Sequence, residues 1–162
     1  MFTTYGKLRS EAGVNPVHDA IDIEGYIGET ILAAADGVVF RSHWNNVGGN
    51  RIVIEHGQDA DGNYLRTVYL HLTERSVEVG QKVKRGQLIG TLGVTGSGAS
   101  GRVPHLHFSV YKGPTKEYSK QWNHANPHDY WLDGPYRITC YDPARKYPTS
   151  PIRFTYPVEC KR

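Results

Sequence analysis

The stretch Arg51-Ile52-Val53-Ile54-Glu55-His56 alternates polar and apolar side chains, the period-2 pattern of a half-buried strand. It runs into Asp59 to Asn63, where Asp61-Gly62 marks a hairpin turn, and the chain returns as Leu65 to Leu72. Strand signals recur on both sides of this hairpin at short intervals. Upstream, a strand is predicted from Ile31 to Ser42, through Gly37-Val38-Val39-Phe40. Downstream, Val79 to Gly90 interleaves apolar residues with glycines suited to tight turns. Gly93 to Gly101 is rich in Gly and Ser and predicts a flexible surface loop. His105 to Tyr111 is a further strand, followed by a polar loop through Trp122 and Asn126-Pro127. No segment of helical length carries helical periodicity, so the expected class is mostly β with little helix.

At 162 residues the chain fits one domain. It can bury roughly 70% of its unfolded surface without needing a metal or a disulfide for compactness. After Gly134 the character changes, with Pro143, Pro148, Pro151 and Pro157 in a short span. Residues 134–162 are expected to form a β appendage of the domain built by residues 1–133, with strands over Tyr136 to Tyr141 and Ile152 to Val158. Hydrophobic residues make up 38%, and no apolar run approaches the roughly 20 residues of a membrane-spanning helix. Met1 to Ser10 lacks an apolar core, so no signal peptide is expected in this chain. Lys and Arg number 19 against 16 Asp and Glu, a formal charge of +3. These cations are scattered, which argues against nucleic acid; the balance is compatible with an anionic surface such as a cell wall. Cys140 and Cys160 suit neither a zinc ribbon nor a redox pair. A disulfide is expected, pointing outside the cytoplasm, with two buried thiols as the alternative.

Three histidine-bearing segments stand out: His18 with Asp22 four residues on, Tyr69-Leu70-His71-Leu72, and Pro104-His105-Leu106-His107-Phe108. On extended strands His18 shares a face with Asp22, and His105 with His107, leaving Leu106 and Phe108 on the opposite side. Zinc accepts imidazole nitrogen and carboxylate oxygen, and a catalytic site needs three protein ligands plus an open position. Two His and one Asp meet that requirement and leave two His for proton handling. His-X-His pairs also occur as plain strand residues, and the helical His-Glu-X-X-His plan is absent.

In these segments the chain resembles the lysostaphin-type, or LytM-like, zinc endopeptidases that cut peptidoglycan peptides. The resemblance runs from about Pro16 to Trp131. It includes His18-X-X-X-Asp22, Ala35-Asp36-Gly37-Val38-Val39, and Trp44-Asn45-Asn46 leading to Gly48-Gly49-Asn50. Tyr69-Leu70-His71-Leu72, Gly80-Gln81-Lys82-Val83 and Gly86-Gln87-Leu88-Ile89-Gly90 follow, then Pro104-His105-Leu106-His107-Phe108 and Asn126-Pro127-X-X-Tyr130. It implies an antiparallel sheet forming a groove, with one Zn²⁺ held by His18, Asp22 and His107. His71 and His105 would be the catalytic pair. The implied substrate is peptidoglycan, met outside the cytoplasm by a monomer.

The sequence departs from the pattern at Ala20 and Val103, where Gly is usual, and at Ser109, where Glu is common. All three flank the ligands, so they bear on loop geometry and substrate preference. Some members carry a Tyr shortly before the first His; here Ala12 and Gly13 stand there, so Tyr5 or another tyrosine would have to substitute, if any does. Trp44 and Tyr69 are candidates for lining the groove, with packing as the alternative. His43 and His56 are expected at the surface, His124 and His128 in the polar loop. The expected bond is the direct D-Ala to diaminopimelate link rather than a Gly-Gly bridge, although Gly134 to Ile138 and the cysteines resemble the tail of staphylolytic members. Two rivals are a carrier module, since Gly80 to Gly90 is shared with lipoyl, biotin and sugar-phosphotransfer carriers, and a LytM-like wall-binding activator that has lost catalysis.

Overall fold

The computed structural model describes residues 2–3 and 17–161. Tyr5, Ala12, Gly13 and most of the N-terminal segment considered for a leader lie outside the described residues. The strands in chain order are β1 (Phe2–Thr3), β2 (Ile21–Glu24), β3 (Thr30–Leu32), β4 (Gly37–Asn45), β5 (Gly49–Gln58), β6 (Tyr64–Leu72), β7 (Glu74–Arg75), β8 (Lys82–Val83), β9 (Leu88–Thr91), β10 (His105–Gly113) and β11 (Asn123–Ala125). Two short 3₁₀ turns, Ser97–Ala99 and Pro127–Tyr130, are the helical content among the described residues.

β5 and β6 form the predicted hairpin, with Val53 opposite Val68 and Glu55 opposite Arg66. Its turn is closed by Asp59, which accepts the amides of Asp61 and Asn63 while Gly62 takes a positive φ of 82°. The hairpin is the middle of a sheet ordered β1-β2-β10-β6-β5-β4-β8, antiparallel throughout. β11 lies along the same edge of β10 as β2, pairing Val110–Lys112 where β2 pairs His105–Phe108. Alternation gives the sheet two faces. Ile52, Ile54, Leu65, Tyr69, Leu106, Phe108 and Val110 point to one side and are fully buried. There they meet a second sheet, β3-β9-β7, which brings Ile31 and Ile89 into the same core. The opposite face stays open and carries the site.

The strand expected over Ile31 to Ser42 is two strands in two different sheets. Between them Ala33, Ala34 and Ala35 are fully buried, small enough to cross the core where larger residues would not fit. Their polar groups are satisfied on the way: Ala33 N–H donates to Gln87 O, Ala34 N–H to the Tyr69 hydroxyl, and the Ala34 carbonyl accepts from Thr155 N–H and Arg85.

The tail also differs from expectation. It forms no strand among the described residues and makes two isolated bridges, Ile31 with Val158 and Trp131 with Phe154, of which the first reaches a sheet. Its prolines lack the N–H that a ladder needs, so its backbone bonds stay scattered, among them Ile152 N–H to Gln58 O and Leu32 N–H to Pro157 O, and side chains add to them. Trp131 and Phe154 are fully buried, Trp131 stacking on Phe108, and Arg85 donates to the carbonyls of Ala34 and Arg153. Cys140 and Cys160 form a disulfide with Cα atoms 5.9 Å apart.

His56, expected at the surface, is buried. Its Nδ1–H donates to the Asp36 carbonyl at 2.7 Å, and Nε2 stands 2.8 Å from the Thr67 hydroxyl, which in turn is 3.1 Å from that of Tyr69. Period-2 parity accounts for this, since His56 follows Ile52 and Ile54 on the core face. With Nε2 as acceptor the ring must be neutral, and burial holds its pKa down at about 4 against an ordinary 6.5. The unfolded chain therefore binds more protons between these values. The stability that His56 contributes is complete above about pH 6.5 and is lost as the pH falls towards 4. Thermal midpoints should drop on acidification through that window, and His56→Gln should flatten the drop; an unchanged pH profile in the variant would count against this account.

Candidate metal centre

The register of β2 on β10 places Asp22 directly opposite His107. Opposed residues of an antiparallel pair hold their Cβ atoms about 5 Å apart, close enough for side chains to meet. Asp22 Oδ1 lies 3.0 Å from His107 Nδ1 and 3.9 Å from His105 Nε2. His18 arrives differently from the sequence expectation. It precedes β2, separated from it by a bend at Ala20, so strand parity does not set its direction. Its ring nevertheless meets His107 edge-on at 5.3 Å, with Nε2 3.2 Å from Asp22 Oδ1. One ligand atom from each of His18, Asp22 and His107 lies within 4.8 Å of the others.

Both ring nitrogens of His18 are buried without a well-formed hydrogen bond, Nδ1 having no partner and Nε2 only the Asp22 carboxylate at 3.2 Å. An imidazole so placed beside a carboxylate and a second imidazole is costly as a hydrogen-bonding arrangement and well suited as a ligand set. Burial alone would raise the Asp22 carboxyl, but the His107 and His18 imidazoles outweigh it and hold the group below its usual range. It is therefore ionised, as a ligand must be. The residues present fit a zinc ion.

His71 and His105 complete the site, their rings 4.9 Å apart. Parity would put His71 on the core face with Tyr69. A positive φ of 68° at His71 turns it instead to the open face, a strained backbone unusual for a residue other than Gly. The strain is held by Thr95. Its carbonyl accepts from His71 Nδ1–H at 2.8 Å, and its hydroxyl donates to Leu72 O and accepts from Asn50 N–H. His105 is oriented in the same way, with Nδ1–H donating to Val103 O at 2.9 Å. A carbonyl only accepts, so both rings carry a proton on Nδ1, and the neutral form of each has its lone pair on Nε2. Burial leads in lowering the His71 pKa, to about 4.

These side chains border a cavity of about 210 Å³ together with Asp19, Val47, Leu70, Gly98 and Arg102. The Gly93 to Gly101 loop is not free as expected; Ser97 and Gly98 N–H donate to Asn46 and Val47 carbonyls across the cavity mouth. Two candidates fall outside the site. Tyr69 is fully buried, its hydroxyl holding Ala34 N–H, and burial pushes its pKa up to about 12. Trp44 pairs with Asn50, whose side chain reaches Thr73 and Arg75 on the other face of the sheet, so Trp44 is exposed away from the cavity. His124 instead pairs with Asp19 at 3.0 Å, and His128 is buried, accepting from the Trp131 indole. Thr95 carries no motif that the sequence reading could have used, because it reaches His71 through its backbone carbonyl.

A two-histidine, one-carboxylate cluster on an antiparallel sheet, with two further histidines facing it, defines a metal-dependent hydrolase type of centre. Residues 16–126 match the model of peptidase family M23, and the chain belongs to that family. It is 39% identical over 113 residues to the peptidoglycan DD-endopeptidase ShyC of Vibrio cholerae, covering 67% of this chain and 24% of that protein. The chain thus spans about a quarter of that curated relative. Its fold is similar to the catalytic domain of the antimicrobial peptidase lysostaphin from Staphylococcus simulans, with TM-score 0.61 and 32% identity over 77% of this chain and 86% of that one. A zinc-containing peptidase from Vibrio cholerae is similar at TM-score 0.57 and 35% identity, over 67% of this chain and 32% of that one.

Gly49 tests how the site is held. Its φ is +67°, and an added Cβ would overlap the Thr95 backbone and hydroxyl. Gly49→Ala should cost roughly 2–4 kcal/mol in denaturant unfolding, from left-handed strain plus overpacking. A loss below 1 kcal/mol, read on that scale, would mean that Thr95 is free to move.

Proposed function

We propose that this chain is a zinc-dependent endopeptidase of bacterial peptidoglycan, cutting the direct D-Ala to diaminopimelate cross-link in preference to a Gly-Gly bridge. The observation that carries the reading is the convergence of His18, Asp22 and His107 beside two histidines whose tautomers are set by backbone carbonyls. The DD-endopeptidase relative supports the choice of bond. The disulfide supports an extracytoplasmic site of action.

His18, Asp22 and His107 would hold the ion, which supplies Lewis acidity to the scissile carbonyl and to an attacking water. His71 and His105 border the same cavity with Nδ1 tied to a carbonyl, so either, as the neutral ring, can take at Nε2 the proton released by water and pass it to the leaving amine. Because burial keeps His71 neutral at ordinary pH, its lone pair is available before the reaction and a proton taken up is readily given back. Leu70 and Val47 supply apolar walls that limit water around this transfer.

Fragments released from two purified peptidoglycans, one directly cross-linked and one with glycine bridges, should be analysed by mass with and without chelator. Chelator-sensitive release from the directly cross-linked wall is expected. His107→Ala should lose both bound zinc and activity. His105→Ala should keep stoichiometric zinc and lose about 10²- to 10⁴-fold in rate. Full metal retention in both variants would overturn the ligand set. Zinc binding with neither wall cleaved would replace the enzyme by a wall-binding module.

A further inference from the structure

Beyond the metal cavity, the open face of the main sheet continues into a second groove of about 290 Å³. Its floor is Val53 and Val68, its aromatic walls are Phe40 and Tyr111, and three arginines face it: Arg41, Arg51 and Arg66. The register places it relative to the site. His107 on β10 pairs with Leu70 on β6, and Arg51 on β5 lies between Asn50 and Ile52, which pair with Leu72 and Tyr69. Arg51 is therefore in the His107 row, two strands over. Neighbouring strands lie about 4.8 Å apart, which puts Arg51 roughly 10 Å across the sheet from His107, the span of about three residues of extended peptide.

The three arginines are not equivalent. Arg66 is engaged: its Nη2 is 2.7 Å from Glu55 Oε2, it also donates to Lys116 O, and its plane lies between Phe40 and Trp122. Arg51 and Arg41 have no carboxylate partner among the described residues, and Arg51 Nε is buried without any hydrogen bond. Their neighbour on the same face, His43, stands opposite Arg51 in the register. Burial, then the charges of Arg51, Arg41 and Arg75, hold its imidazole below its usual range, so it stays neutral and brings no negative charge to the arginines, and its own Nδ1 is buried without a partner. The nearby acids are already paired, Glu55 with Arg66 and Asp19 with His124. A buried guanidinium N–H with nothing to donate to is costly, and an anionic ligand removes that cost.

We infer that Arg51, assisted by Arg41, is a specificity-determining subsite that takes a free carboxylate carried by the peptide about three residues from its scissile bond. A carboxylate fits this place by charge and by the fork of guanidinium donors. Glycine bridges carry no such group, whereas the stems of directly cross-linked walls do. The inference rests on the endopeptidase reading for the position of the bond, but carboxylate binding itself needs no turnover.

The test uses two synthetic stem tetrapeptides, L-Ala-D-Glu-diaminopimelate-D-Ala, differing only in a free or amidated D-Glu α-carboxyl. Neither holds a cross-link, so binding to the zinc-supplied full chain is read by calorimetry without cleavage. The free carboxylate should bind about 10- to 100-fold more tightly to the wild type. That ratio should fall towards one in Arg51→Gln. Arg41→Gln alters an exposed side chain and should lower the ratio as well, which keeps the test open if Arg51→Gln fails to fold. Equal affinities in the wild type, or an undiminished ratio in both variants, would overturn the subsite. A wild-type ratio that collapses in the variants while cross-linked wall stays uncut supports the subsite and overturns only the endopeptidase reading.

Discussion

Everything at the open face of this molecule depends on how β2 is registered on β10. With Asp22 opposite His107, a carboxylate and an imidazole are driven together at 3.0 Å by backbone pairing. A slip of one residue would turn Asp22 into the core and Ile21 or Ile23 out to water. Those two isoleucines are almost fully buried, so the apolar residues that stabilise the strand also prevent the slip. The polar cluster is thereby positioned chiefly by the hydrophobic effect in a two-sheet core, and the Asp22 to His107 contact adds to a placement that the apolar residues already impose.

The second element of the design is a division of labour between sheet and loops. Strand parity supplies His105, His107 and Asp22, all on rigid, well-paired backbone. His71 sits at the end of β6, where parity points inwards, and is turned outwards by a left-handed residue held through Thr95. The Gly48-Gly49 turn and the Thr95 to Gly98 segment interlock closely enough that no side chain fits at Gly49 or Gly96. The two loops at the mouth of the cavity thus behave as a single wall.

Much of this was readable from the chain alone. Period-2 alternation in Arg51 to His56 and the Asp61-Gly62 step determine the central hairpin because both are local signals. His105 and His107 share a face for the same reason. What escaped the reading depends on long-range geometry. The crossing at Ala33 to Ala35 looks like continuous strand until the second sheet is known to lie beneath it. His56 counts as a strand-end polar residue until Asp36 and Thr67 come to meet it. Tyr69 resembled a groove residue because its neighbour His71 is one, and only the change of φ between them separates their faces. The tail resembled strands by composition, yet its prolines break any ladder, and it covers the core through scattered backbone bonds together with Trp131, Phe154 and Arg85.

Among the described residues, the outermost strands of the main sheet, β1 and β8, are two residues each. Beyond Val38, however, β4 has no partner strand on that side among the described residues, since β8 pairs only Gly37 and Val38. Unpaired backbone of this kind invites edge-to-edge association, which an exposed charge such as Arg41 opposes.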